Sequence, residues 1–198
     1  MQSSLLSGRW GDHNQPMGTS AIPSDFELRY PVGKFHAPQV ISAADRSQWI
    51  SEIEHLPSEL AEAVGGLSVH HLDAPYRPGG WTIRQVVHHL PDSHMNAYVR
   101  VRLALTEETP TIKPYAEARW AELEDAKSGD ISLSLNLLNA LHARWVILFR
   151  SLDEEEFARA LRHPEHGEVK LERLLAMYAW HGKHHLAHIT GLRRRNGW

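Results

Sequence analysis

The sequence contains no cysteine among its 198 residues. No disulfide framework can hold the fold, and no thiolate is present to ligate a metal or act as a nucleophile. A metal or catalytic site would have to be assembled from His, Asp and Glu. Charge of one sign is also lacking, since 21 Lys and Arg stand against 24 Asp and Glu for a net charge of −3. Without a broad positive field, neither nucleic acid nor an anionic membrane is an expected partner, which leaves a small-molecule substrate. No apolar run is expected to reach membrane-spanning length, and the N-terminus lacks the apolar core of a signal peptide, so the cytoplasm is the expected compartment. Strand signals are sparse, and the length suits one domain with a sizeable core.

What is present is helical periodicity. Residues 1–25 are polar and rich in Ser, Gly and Pro without a period, and read as a flexible extension ahead of a single domain over 26–198. An extended lead-in is expected at Phe26 to Gly33. A helix follows Ser42 and reaches about Val64, with Trp49, Ile53, Leu56, Leu60 and Val64 at spacings of three and four, Pro57 inside it and Gly65-Gly66 ending it. Tyr76 to Gly80 reads as a turn. After it, Thr82 and Gln85 form a capping box and Trp81 and Val86 are spaced as a hydrophobic staple. The helix they open runs from Ile83 to about Thr106, burying Ile83, Val86, Val87, Leu90, Ala97, Val101 and Leu105, with His94 on the apolar face, His89 on its edge and His88 pointing away. A short helix is expected from Pro114 to about Leu123. The next long helix covers Ile131 to Arg150, with Leu133, Leu137, Leu138, Leu141, Trp145, Leu148 and Phe149 on one broad face. A helical turn at Asp153 to Ala160 and a turn or small hairpin at His163 to Gly167 precede a last helix from Lys170 to Arg195. Its Arg193-Arg194-Arg195 run suits a helix C-terminus. Four long amphipathic helices specify an all-α, four-helix bundle with short crossover segments.

The densest chemistry lies in Tyr178-Ala-Trp-His-Gly-Lys-His-His-Leu-Ala-His-Ile189, where His181, His184, His185 and His188 crowd one helix. At 3.6 residues per turn His181 and His185 stack one above the other, so two imidazoles can converge on one cation; His184 and His188 share that spacing. The apolar stripe Leu171, Leu174, Tyr178, Leu192 contains His181, His185 and His188 and leaves His184 to one side. A buried imidazole needs partners for both nitrogens, which core carbonyls or a shared metal can supply. Gly182 stands where the glutamate of a His-Glu-x-x-His protease would be, so that chemistry is not indicated. His89 and His94 are both geometrically possible third ligands on the second long helix, and spacing alone does not choose between them.

The stretch Gly79-Gly-Trp-Thr-Ile-Arg-Gln-Val-Val-His-His-Leu90, together with Trp180-His181 through Ile189, resembles the DinB/YfiT-like family of metal-dependent hydrolases. Asp92-Ser-His-Met-Asn96 and Leu141-His-Ala-Arg-Trp145 extend the resemblance over about residues 30–198. It implies a four-helix bundle, often dimeric, with three histidines on a divalent metal such as zinc or nickel. By position these are His89, His181 and His185. Three imidazoles with an open coordination position suit a catalytic site, where a structural zinc would be closed by four protein ligands. The implied activity is a hydrolase that activates water. One alternative is a thiol S-transferase that conjugates a low-molecular-weight thiol such as bacillithiol to an electrophile; another is a non-enzymatic metal-binding module. Gln85, Ser93, Asn96 and Arg100 could shape a polar pocket beside His89, and Asp92 and Glu172 are bases by helical spacing alone, with no role assigned. His13, His36, His55, His70 and His71 read as solvated surface residues.

Overall fold

The computed structural model describes residues 23–198. His13 and nearly all of the expected extension therefore lie outside the described residues. The element order is α1 (Asp25–Arg29), α2 (Ala43–Val64), α3 (Val69–Leu72), α4 (Ile83–Thr106), α5 (Glu117–Trp120), α6 (Glu124–Ser128), α7 (Ile131–Ser151), α8 (Glu154–Ala158), β1 (Ala160–His163), β2 (Gly167–Lys170) and α9 (Leu171–Asn196). The four long helices α2, α4, α7 and α9 form the bundle, and the two strands pair as one antiparallel hairpin.

Local chemistry explains most boundaries. Ser42 with Asp45 and Thr82 with Gln85 close capping boxes at the starts of α2 and α4, each satisfying two backbone donors that have no intrahelical partner. Past Gly65, which caps α2, the chain turns through a positive φ of 74° at Gly66. Two expectations fail at this level. The lead-in is a short helix because Ser24 and Glu27 make a capping box of their own, a signal hidden by the apolar alternation that follows. The helix expected over 114–123 is shortened to α5, with Pro114 ahead of it, and a separate short helix, α6, begins only at Glu124.

Helix packing departs from a simple up-and-down order. Both α2 and α4 pack against α7 and α9, so the consecutive helices α2 and α4 sit diagonally, as do α7 and α9. The crossovers are the α3 segment and the segment carrying α8 and the hairpin. The broad apolar face expected on α7 is narrower than its sequence suggests: Leu138, Trp145 and Phe149 are buried, while Leu133 and Leu137 face outward. α7 is also long and apolar enough to cross a membrane by length and composition, contrary to expectation, yet it packs between α2 and α4 with His142 buried.

The core falls into two apolar clusters stacked along the bundle. One gathers Ile53, Val101, Trp145, Phe149, Leu171 and Leu175; the other gathers Leu60, Ile83, Val87, Leu90, Leu138 and Ile189. Between them, at the same height on three helices, stand His94, His142 and His181. This polar layer positions the site.

Candidate metal centre

The layer begins with a proline. Pro57 lacks the N–H that would bond the carbonyl of Ile53 one turn earlier, so that carbonyl is left without its helical donor. His142 Nδ1 meets it at 2.6 Å. From there the contacts run across the bundle, with His142 Nε2 at 2.8 Å from His94 Nδ1 and His94 Nε2 at 3.1 Å from His181 Nδ1. Burial pushes the His142 imidazole down to about 4 and holds His94 and His181 well below the ordinary imidazole range, so all three rings are neutral near pH 7. A carbonyl only accepts, so His142 must donate from Nδ1. The polarity of every later contact follows: His94 donates to His142, and His181 donates to His94. His181 is thereby held with its proton on Nδ1 and a bare lone pair on Nε2, the state required of a metal ligand.

That lone pair points at His89, whose Nε2 lies 3.2 Å away. The ligand atoms of His89, His181 and His185 lie within 4.8 Å of one another. Two nitrogens bound to one ion at about 2.0–2.1 Å in tetrahedral geometry are about 3.3 Å apart, so the His89–His181 separation fits a shared cation. Burial lowers His89 to about 4 and takes His185 well below its ordinary value, which leaves all three rings neutral near pH 7. His185 also has a buried Nδ1 with no hydrogen-bond partner among the described residues. Trp81 flanks the group, its ring centroid 4.7 Å from that of His89 and 6.2 Å from that of His185. The three imidazoles line a cavity of about 650 Å³ that also reaches Arg100, Tyr115 and Glu117.

Of the two possible third histidines, His89 joins the pair on α9, while His94 stands behind His181 and fixes its orientation. Histidine placement differs from expectation in three places. His184 is buried rather than set aside, and its ligand atoms approach those of His185 and His188. His188 Nε2, however, is engaged by the Arg29 carbonyl at 3.2 Å, and its ring stacks on Tyr76. His88 is buried too, with Nδ1 2.7 Å from the Ser134 hydroxyl and Nε2 3.2 Å from the Gly129 carbonyl, because α6 and α7 cover the side of α4 that the sequence left open. His71, expected in solvent, is partly buried and stacks on Trp198 at 4.2 Å. Asp92 and Glu172 do not line the cavity; Glu172 pairs with Arg46 at 3.3 Å, and burial raises the Asp92 carboxyl to about 6. The lining carboxylates are Glu117 and Glu165, for which the sequence offered no signal.

The DinB superfamily's sequence model matches residues 52–189. This chain belongs to the DinB superfamily. Within it, a Bacillus cereus protein named "Putative metal-dependent hydrolase" is 54% identical over 172 residues, covering 87% of this chain and 99% of its own. A Bacillus mycoides protein of the same description is 53% identical over the same length. YfiT from Bacillus subtilis, described as a probable metal-dependent hydrolase with an unusual four-helix bundle topology, superposes with a TM-score of 0.85 at 50% identity. The match covers 87% of this chain and 99% of YfiT.

Proposed function

We propose that this chain is a metal-dependent hydrolase of small molecules in which His89, His181 and His185 hold one divalent cation, zinc or nickel. The observation that carries this reading is the convergence of three neutral imidazoles, from two helices, on the wall of one cavity. Such an ion, when bound, supplies a Lewis acid and brings the pKa of a coordinated water to about 7. The chain's own residues do the rest. His94 and His142 keep the His181 proton on Nδ1, Trp81 covers one flank, and Glu117 and Glu165 are the carboxylates able to exchange protons with a molecule in the cavity. The names of the DinB relatives support the reaction class.

Metal content and turnover test it together. Protein loaded with zinc or nickel is expected to hold one ion per chain and to hydrolyse members of an ester and amide panel, while His185→Ala loses the ion and the turnover yet keeps its helical circular dichroism. Turnover that requires an added low-molecular-weight thiol and an electrophile would replace hydrolysis with thiol transfer. Bound metal without turnover in either assay would reduce the site to a binding module.

A further inference from the structure

Beyond the histidines the cavity continues along α4, where Ser93 and Arg100 line the same wall as His89. Arg100 is only 9% exposed and forms no ion pair among the described residues. Its Nη2 donates to the Lys113 carbonyl at 3.1 Å, one of five N–H donors a guanidinium carries. A charge so far withdrawn from water is costly unless a counter-charge meets it. The other two arginines lining the cavity, Arg29 and Arg77, lie 3.5 Å and 3.6 Å from one shared, exposed carboxylate, Asp25. Tyr178 and His163 stand beside Arg100, and the two carboxylates that line the same cavity, Glu117 and Glu165, make no ion pair with it. Tyr178 is raised by burial, with the Arg100 charge opposing that shift, and His163 is lowered first by burial and then by His166 and Arg100. The site has a rigid helical mount, a buried fork of donors and an open side facing the cavity.

We infer that Arg100 binds an oxyanion, a carboxylate or phosphate, borne by the substrate. A guanidinium receives either one through paired, charge-assisted hydrogen bonds. Eleven residues separate His89 from Arg100, about 16 Å along the helix axis. The arginine side chain leans back towards the helix N-terminus, so its head is on the order of 10 Å from the histidines. The substrate class is therefore a small molecule with a hydrolysable group at one end and an anion several bonds away. That pairing of ends rests on the metal-site reading; the anion subsite does not.

Titration with inorganic phosphate and with glutarate, followed by calorimetry and by the arginine Nε–H signals in ¹⁵N spectra, tests the subsite on the full chain. Saturable binding that shifts the Arg100 signal is expected, with affinity at least tenfold lower in Arg100→Met, intermediate in Arg100→Lys and unchanged in His185→Ala. If Arg100→Met does not fold, the wild-type Arg100 signal and the lysine variant decide. An unmoved Arg100 signal, or equal affinity in the substituted proteins, overturns the proposal. Binding lost in His185→Ala but kept in Arg100→Met would place the anion at the histidines and overturn it equally. A His185→Ala protein that still bound its metal would count against the hydrolase reading alone.

Discussion

Pro57 looks disruptive by propensity, yet it frees the one carbonyl that gives the histidine layer its direction. An alanine there would return a donor to Ile53 and compete with His142. The layer itself is tested by His142→Ala, which leaves the Ile53 carbonyl buried without a donor at a cost of about 1–3 kcal/mol. The same change lets His94 donate from either nitrogen, so His181 loses its fixed tautomer. Metal affinity, measured by chelator competition, is expected to fall about 10–100-fold. The Nδ1–H signal of His181 in ¹⁵N spectra of the metal-free protein should weaken in parallel. Unchanged affinity with an unchanged tautomer would reduce His142 to a packing residue.

Between elements, the site depends on how closely α9 lies against α2. Gly182 follows His181 directly on α9, and a Cβ there would meet Leu56 Cδ2 at 2.5 Å. Glycine at this point admits the buried Leu56 side chain beside the helix that carries His181 and His185. Gly182→Val is expected to destabilise the protein by about 1–3 kcal/mol in denaturant unfolding through overpacking. It should also spread the two α9 histidines from His89 and weaken metal retention; a variant as stable as the wild type would show that α2 yields freely. The far end of α9 is tied to its neighbours by arginines. Arg193 Nη1 donates to the Ala63 carbonyl at 2.7 Å and Arg195 Nη2 to the Tyr76 carbonyl at 2.7 Å, so this run satisfies carbonyls of α2 and the following turn as well as its own helix dipole.

At the scale of the molecule, the tryptophans do not mark an outer surface: Trp145 is buried, and no tryptophan is among the large apolar side chains exposed in the described residues. The exposed apolar groups instead include Leu133 at 69%, Leu137 and Ile147 at 71% on α7, with Met95 and Val99 on α4. Leu133, Leu137 and Ile147 follow helical spacing along the outside of α7. The resemblance implies a dimer, and we propose this face as its contact. Light scattering should give twice the chain mass for the wild type and a single chain for Leu133→Asp/Ile147→Asp, with metal content retained. A wild-type mass of one chain would remove the dimer.

The sequence by itself determined the four long helices and most of their ends, because capping boxes and apolar spacing act over a few residues and need no partner. It also determined that His181 and His185 share a face, since that follows from 3.6 residues per turn alone. Local periodicity describes one helix at a time, however, and the remaining features depend on which helix covers which. His88 and His184 looked exposed until α6 and α7 closed over one and the Tyr30 and Trp180 rings packed beside the other. His89 and His94 were equivalent until the packing of α4 against α9 put one ring beside the pair and the other behind it. The direct link from His142 to Ile53, 89 positions apart in the chain, could be decided only by the tertiary structure. A proline announces a free carbonyl four residues earlier, but only the packed bundle supplies the donor that meets it.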